Sequence, residues 1–318
     1  MNAGKVFTER YLKLMFKQLR DATPEEVQDE LEHCRRENRR PVRVPRYFRR
    51  CFKEQEPFRA STGFEMQVFG HDAGTRRLIL YLHGGAFIYP PVFFHWRFLH
   101  DLCLRTHCDA LMPVYPKSPE YDCAFSVKTL LDYYQSLSES RHYDEIHLVG
   151  DSAGACLCLV VAQEAHKNGW QKPKTSLLLS PCVDLSHTKE AEMRALEERD
   201  TMLQLDRIVT LNAIWQGQLD ARHPWVSPVF GDLSCLDNIH VYFGSDEILK
   251  PDTLFLQAEM EKAGKTGHFH EFEGMFHTFA MFPIPEGFRA VRMTVEEIRG
   301  VYAPFSTGHR KRSAPSGP

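Results

Sequence analysis

Residues 146–154 read IHLVGDSAG, an apolar run followed at once by a Gly-x-Ser-x-Gly motif. The run at 146–149 predicts a buried strand, and the pattern of residues 153–168 predicts a helix. A sharp turn between the two would hold Ser152 at its tip, and Gly150 and Gly154 would let strand and helix pass closely. We therefore interpret Ser152 as an exposed nucleophile rather than as a helix cap.

Short apolar runs and helical stretches alternate on both sides of this motif. The predicted strands are residues 77–82, 110–114, 146–149, 176–179, 240–243 and 268–272, the last of them at an edge of the sheet. The predicted helices between them include residues 124–138, 153–168 and 252–264. Strands that alternate with helices indicate an α/β protein whose central sheet is mostly parallel, with helices on both faces.

Two regions interrupt this alternation. Residues 186–222 are charged and contain helical patterns at 190–193 and 203–215, so we expect an insertion between two strands. The N-terminal part predicts helices within residues 5–38. We expect residues 1–318 to form one domain, in which residues 1–55 and 186–222 together make a helical cap. The polar, basic residues 308–318 are expected to be a disordered tail.

A second motif, His83-Gly84-Gly85-Ala86-Phe87, follows the strand at 77–82. Acyl transfer places negative charge on a carbonyl oxygen, which needs preorganised N–H donors. Glycines let the backbone approach that oxygen closely. The expected donors are the N–H groups of Gly84, Gly85 and Ala153. His83 is expected to shape this turn.

A serine nucleophile also needs a base and an acid that orients the base. Asp246 follows the strand at 240–243, and His277 follows the strand at 268–272, so both are expected at the carboxyl edge of the sheet. We predict the triad Ser152, Asp246 and His277. Glu247 is the alternative acid.

Two other carboxylates follow strands without an obvious part in proton transfer. Asp151 precedes the nucleophile and is expected to brace the turn around it. Asp184 follows the strand at 176–179 and is expected to be a structural acid at a loop.

Composition excludes several classes of protein. The chain has 318 residues, a formal net charge of −3 and nine cysteines, so it is no small disulfide scaffold and has no general attraction for nucleic acid. The Cys156-x-Cys158 pair lacks a second pair at zinc-binding spacing, so no metal site is expected. Residues 35–50 are rich in arginine, which we interpret as a solvated face. Without a signal-peptide pattern or a long apolar stretch, we expect a cytoplasmic protein without a membrane span.

Taken together, these motifs resemble the hormone-sensitive-lipase-like family of α/β-hydrolases, and most closely its bacterial acetyl-esterase and carboxylesterase members. The matching segments are His83-Gly84-Gly85, Gly150–Gly154, Ser180-Pro181 with Asp184, Ser227-Pro228, Tyr115 to Glu120, and Asp246 with His277. Two departures are Ala86 and Ala155, at positions where glycine is common in the family.

The resemblance implies an α/β-hydrolase fold and a serine carboxylesterase that cleaves small-molecule esters of short acyl groups, with no cofactor. The alternatives are a non-catalytic small-molecule receptor on the same fold, against which His277 argues, and an amidase or lactonase with the same triad. Aromatic side chains predicted to line the substrate pocket are Phe87, Tyr89, Phe94, Trp96, Trp215 and Phe276.

Overall fold

A computed structural model describes residues 24–301 of the chain. The strands are β1 (Lys53–Glu54), β2 (Phe58–Arg59), β3 (Glu65–Met66), β4 (Val68–His71), β5 (Arg77–Leu82), β6 (Asp109–Pro113), β7 (Glu145–Asp151), β8 (Thr175–Leu179), β9 (Ile239–Gly244) and β10 (His268–Phe272). The α-helices are α1 (Pro24–Asn38), α2 (Phe93–Thr106), α3 (Cys123–Ser140), α4 (Ala153–Lys167), α5 (Glu190–Arg194), α6 (Leu205–Gln216), α7 (Lys250–Lys262) and α8 (Pro285–Ile298).

Eight of these strands form one sheet in the order β1-β4-β6-β5-β7-β8-β9-β10, while β2 and β3 pair separately. Six neighbouring strands run parallel to one another, namely β6, β5, β7, β8, β9 and β10. At one edge of the sheet, β4 is antiparallel to β6, and β1 is antiparallel to β4. The predicted mostly parallel sheet is confirmed, as is the edge position of residues 268–272. Pro113 is tolerated because it is the last residue of β6, where little of the strand ladder remains to be lost.

The two faces of the sheet each bury a separate core, because successive side chains of a strand point to opposite sides. In β5, Leu78, Leu80 and Leu82 pack in the core that includes residues of α3, α4 and α7. Ile79 and Tyr81 pack in the other core, with residues of α2 and α8. Helices therefore cover both faces of the sheet, as the alternation of elements predicted.

The predicted insertion leaves the sheet after β8 and returns at β9. It contains α5 and α6, which correspond to the helices predicted at 190–193 and 203–215. In the N-terminal part, α1 confirms helix formation at 24–38. The predicted helical residues before 24 and the predicted tail at 308–318 lie outside the described residues. Within residues 24–301, no helix combines the length and apolar character that a membrane crossing requires.

Candidate active site

Ser152 lies in a sharp turn between β7 and α4. Its backbone has φ 50° and ψ −120°, a left-handed conformation that non-glycine residues rarely adopt. The predicted close passage of strand and helix is observed, since a Cβ on Gly150 would lie 2.6 Å from the carbonyl oxygen of Gly154. The strained turn therefore holds the Ser152 hydroxyl at the carboxyl end of β7 and at the N-terminus of a helix.

The imidazole of His277 bridges the Ser152 hydroxyl and a carboxylate. His277 Nε2 lies 3.0 Å from Ser152 Oγ, and Nδ1 lies 3.0 Å from Glu247 Oε2. Glu247 Oε1 accepts a hydrogen bond of 3.1 Å from the Gly244 N–H, which fixes the carboxylate against the end of β9. His277 and Glu247 are both buried. This is the geometry of a nucleophile, a base and an acid that orients the base.

The prediction that Asp246 contacts the base is wrong. The Asp246 carboxylate turns away from His277, forms an ion pair with Arg199 and accepts a hydrogen bond of 3.0 Å from Ser245 Oγ. Its side chain is 22% exposed, whereas that of Glu247 is fully buried. The two carboxylates are consecutive in one loop, so the turn of the backbone directs one toward the base and the other toward solvent.

The expectation that Gly84 supplies a free N–H donor is also wrong. The Gly84 N–H donates to Asp151 Oδ1 at 3.0 Å, and a Cβ at this position would lie 2.2 Å from Asp151 Oδ2. The N–H groups of Gly85, Ala86 and Ala153 have no acceptor among residues 24–301. Ala153 is the first residue of α4, so its N–H has no partner within the helix. The free donors are thus displaced by one residue along the loop.

Asp151 holds this loop against β7. Besides Gly84, it accepts a hydrogen bond of 2.6 Å from Tyr81 Oη, and it lies 3.4 Å from His95 Nε2. Burial acts to raise the pKa of Asp151, but the neighbouring His95 and the hydrogen bonds lower it below the ordinary value. Asp151 is therefore a buried carboxylate whose contacts brace the turn, consistent with the role predicted for it.

His83 packs under the same loop. Its ring stacks on Tyr115 at a centroid separation of 4.6 Å, and Tyr115 Oη donates to the His83 carbonyl at 2.8 Å. Burial lowers the pKa of His83 to about 3, so its imidazole is neutral at physiological pH. These contacts fit the predicted shaping of the turn.

Asp184 has local backbone partners. Its two carboxylate oxygens accept hydrogen bonds from the N–H groups of Ser186 at 2.9 Å and Thr188 at 3.0 Å. This agrees with the expected structural acid at a loop.

Three of the predicted pocket aromatics lie around the loop that follows β5. Phe87 and Trp215 are both buried, and their rings stack with centroids 4.2 Å apart and planes inclined by 8°. Tyr89 donates its hydroxyl to Glu30 of α1 and accepts a hydrogen bond of 2.7 Å from Arg207 of α6. Phe87 and Trp215 therefore form a buried stacked pair that begins one residue after Ala86.

The other three predicted pocket aromatics pack in the core beneath the opposite face of the sheet. Trp96 lies between Phe52 and Phe69, with ring centroids 5.6 and 5.1 Å away. Phe276 and Phe94 both pack on Phe282. Trp96 and Phe276 are almost fully buried there. The structure therefore does not bring these side chains together with Phe87 and Trp215, because apolar residues near a motif in sequence can point to the other side of the sheet.

Several polar residues at the site were not found from the sequence. Glu30 accepts hydrogen bonds from both Tyr89 and Arg207, and Asn38 Nδ2 donates to the Ile88 carbonyl at 2.9 Å. These contacts join α1, the loop after β5 and α6, over separations of 50 to 177 residues. No short motif marks such long-range pairs, so periodicity and spacing had no means of indicating them.

Comparisons with known proteins agree with this architecture. A family model described as the α/β-hydrolase fold matches residues 79–281. The chain is 30% identical over 212 residues to an esterase of Acinetobacter venetianus, covering 66% of this chain and 70% of the relative. It is 29% identical over 235 residues to an acetyl-hydrolase of Streptomyces hygroscopicus, covering 73% and 77% of the two chains.

Solved structures show the same fold. A hormone-sensitive lipase from a metagenome library superposes with a TM-score of 0.75 at 23% identity, covering 93% of this chain and 98% of that one. An esterase/lipase from an uncultured bacterium superposes with a TM-score of 0.77 at 22% identity, covering 95% and 99%. With its strand order, its serine turn and a family match over most of its sheet, the chain belongs to the α/β-hydrolase fold family.

Proposed function

We propose that this protein is a serine carboxylesterase that hydrolyses esters of short acyl groups through an acyl-enzyme intermediate. The observation that carries the proposal is the buried His277 imidazole, 3.0 Å from both Ser152 Oγ and Glu247 Oε2. A serine hydroxyl becomes a useful nucleophile when a base of this kind can take its proton. The names of the two bacterial relatives, an esterase and an acetyl-hydrolase, support the same reaction class.

In the first half of the reaction, Ser152 Oγ attacks the ester carbonyl carbon while His277 Nε2 takes the hydroxyl proton. Glu247 keeps Nδ1 protonated and stabilises the imidazolium that forms. The tetrahedral intermediate then collapses, the bond from carbon to the alcohol oxygen breaks, and His277 gives its proton to that oxygen. The alcohol leaves, and the acyl group remains on Ser152.

In the second half, water attacks the acyl-enzyme while His277 takes a proton from it. Collapse of the second intermediate breaks the bond to Ser152 Oγ, which recovers its proton from His277. The carboxylic acid is released. Each half passes through an oxyanion, for which the free N–H groups of Gly85, Ala86 and Ala153 are the proposed donors. Ala86 thus takes the place that was expected of Gly84.

The preference for short acyl groups rests on the stacked pair of Phe87 and Trp215. Phe87 follows directly after the proposed N–H donors, and Trp215 comes from α6 of the insertion. Two buried aromatic rings at this position fill space that a long acyl chain would need. We further propose that the insertion and the N-terminal segment together form a cap over the carboxyl edge of the sheet, since Glu30 of α1 and Arg207 of α6 meet there.

The test is turnover of p-nitrophenyl esters from acetate to octanoate by the wild-type protein and by Ser152→Ala. We expect the wild type to favour acetate to butyrate, and Ser152→Ala to lose at least about 10⁴-fold in kcat with an unchanged melting temperature. Trp215→Ala should move the optimum toward longer chains. Wild-type turnover by Ser152→Ala would refute the reaction, and an unchanged chain-length profile in Trp215→Ala would refute the assignment of the pocket wall.

A further inference from the structure

We propose that Asp200, in the insertion, is a positioning residue that fixes the loop carrying Glu247. The proposal rests on the roles proposed above for Ser152, His277 and Glu247. Its physical basis is a set of contacts between the insertion and the loop at residues 244–249, called here the acid loop.

Asp200 is fully buried and its carboxylate is saturated with backbone donors. Oδ1 accepts hydrogen bonds from the N–H groups of Met202 at 2.8 Å and Leu203 at 2.9 Å. Oδ2 accepts a hydrogen bond of 2.8 Å from the N–H of Ile248. The first two bonds fold the insertion around the carboxylate. The third links the insertion to the residue that directly follows Glu247, 48 positions away along the chain.

The neighbouring residue of the insertion contacts the acid loop as well. Arg199 forms an ion pair with Asp246, the residue that directly precedes Glu247. Glu247 is thus flanked on both sides by residues held by the insertion. On the opposite side, the Ser245 N–H donates at 3.0 Å to the carbonyl of Phe272 at the end of β10, and the Asp246 N–H donates at 3.0 Å to the carbonyl of Met275 in the loop that carries His277. The acid loop lies between these two sets of contacts.

Asp200 lies close to other charged groups of the site. Burial raises the pKa of Asp200, while the nearby His277 lowers it. Glu247 is in direct contact with His277, and the charge of Asp246 is offset by Arg199 at the exposed rim.

Loosening the acid loop predicts a kinetic signature. Without the bond from the Ile248 N–H to Asp200, Glu247 is held less firmly against His277. The orientation of the base matters for the transition state and not for binding of the substrate, so kcat should fall while KM stays near its wild-type value.

The experiment measures kcat and KM with p-nitrophenyl acetate, and the melting temperature, for the wild type, Asp200→Asn and the control Asp206→Asn. Asp206 is in the same insertion, but its side chain is 72% exposed and pairs with Arg194. For Asp200→Asn we expect kcat to fall about tenfold at a temperature well below its melting temperature, with KM within about twofold of the wild-type value. Asp206→Asn should keep the wild-type kcat and KM.

A purely structural role would lower the melting temperature of Asp200→Asn and leave kcat of the folded protein at the wild-type value, and that result would overturn the proposal. If Asp200→Asn does not fold, Asp200→Glu keeps a carboxylate but displaces the acceptor from the Ile248 N–H. It should lower kcat with little change in KM, and a wild-type kcat would contradict the proposal. Failure of the proposed function is distinguishable, since Ser152→Ala would then hydrolyse the ester at the wild-type rate.

Discussion

At the scale of single residues, the choice between Asp246 and Glu247 shows what a motif can and cannot specify. The sequence places a carboxylate after β9, and either residue satisfies the order of serine, acid and histidine. The structure separates them, because Glu247 lies against His277 while Asp246 pairs with Arg199. Arg199 lies 47 residues away in the insertion, so the information that decides between the two acids is not local.

This assignment predicts opposite outcomes for two similar substitutions. Glu247→Gln leaves His277 without the carboxylate that sets its tautomer, so kcat should fall by about 10³- to 10⁴-fold with p-nitrophenyl acetate. Asp246→Asn, the matched control, loses an ion pair that is partly open to water and should stay within about threefold of the wild-type kcat. The reverse order of activities would show that Asp246 is the acid.

The loop after β5 shows that a sequence motif is equally limited in predicting which backbone N–H groups can bind an oxyanion. A Gly-Gly pair predicts donors near the reacting carbonyl, but the sequence does not show that Asp151 already accepts the first N–H of the pair. The free donors begin one residue later, and Ala86 there has a φ of 51°. A left-handed alanine costs of the order of 1 kcal/mol, so its surroundings must hold it in place.

At the scale of elements, α1 provides part of that support. Glu30 accepts hydrogen bonds from Tyr89 and from Arg207, and the side chains of Glu30 and Arg207 are only 16% and 10% exposed. Tyr89 in turn donates its backbone N–H to the Gly85 carbonyl at 2.9 Å. A helix that precedes the sheet in sequence thus contacts the loop that carries the proposed oxyanion donors.

Glu30→Gln tests this support. The amide retains one hydrogen bond but removes one carboxylate charge from beside a nearly buried guanidinium, so the free energy of unfolding should fall by about 2 kcal/mol. In urea unfolding, Glu32→Gln is the control, because Glu32 is exposed on the same helix. Equal stability of the two variants would show that the ion pair contributes nothing to holding α1 in place.

Asp252, in the first turn of helix α7, is a buried carboxyl group whose charged form is unfavourable. Asp252 is almost fully buried, and neither of its oxygens has a hydrogen-bond partner among residues 24–301. Burial raises the pKa of Asp252 well above its ordinary value, and the nearby carboxylates of Asp184 and Glu192 act in the same direction. The folded protein therefore holds a proton on Asp252 at pH values where the unfolded chain has released it.

Asp252→Asn should therefore become more stable than the wild type as the pH rises. Because the folded state binds the extra proton, the free energy of unfolding of the wild type falls relative to that of the variant from about pH 4 upward. The fall is about 1.4 kcal/mol per pH unit and ends at the pKa of Asp252 in the folded protein. Urea unfolding at pH 5, 6, 7 and 8 measures the difference. Asp29 is exposed, so the difference in stability between the wild type and Asp29→Asn should not change with pH. A difference for Asp252→Asn that is constant with pH would show that the folded protein does not hold the extra proton on Asp252.

At the scale of the whole molecule, the parallel part of the sheet was the most predictable feature. Its strands are continuous apolar runs because both of their faces are buried, as in β5 and β8. Periodicity missed the short antiparallel strands β1 to β4, of two to four residues each, which are too brief to establish a pattern. It also missed α2 and α8.

The site shows the same division between local and long-range information. Ser152 and His277 were predicted because each follows a strand, and the structure places their side chains 3.0 Å apart at the carboxyl edge of the sheet. Asp200 and Arg207 were not, because both come from the insertion and reach the site through tertiary contacts with the acid loop and with α1. The cap formed by residues 1–55 and 186–222, and the single-domain organisation of residues 1–318, stay predictions.

The central claim, that Ser152 is the nucleophile of an ester hydrolase, is tested most directly by covalent labelling. The protein is treated with a serine-directed p-nitrophenyl phosphonate, and residual turnover of p-nitrophenyl acetate is followed while the labelled peptide is identified by mass spectrometry. We predict one phosphonyl group per chain, located on Ser152, with activity lost in proportion to labelling and no labelling of Ser152→Ala. Labelling at another residue, or full turnover by a protein fully labelled at Ser152, would contradict the account.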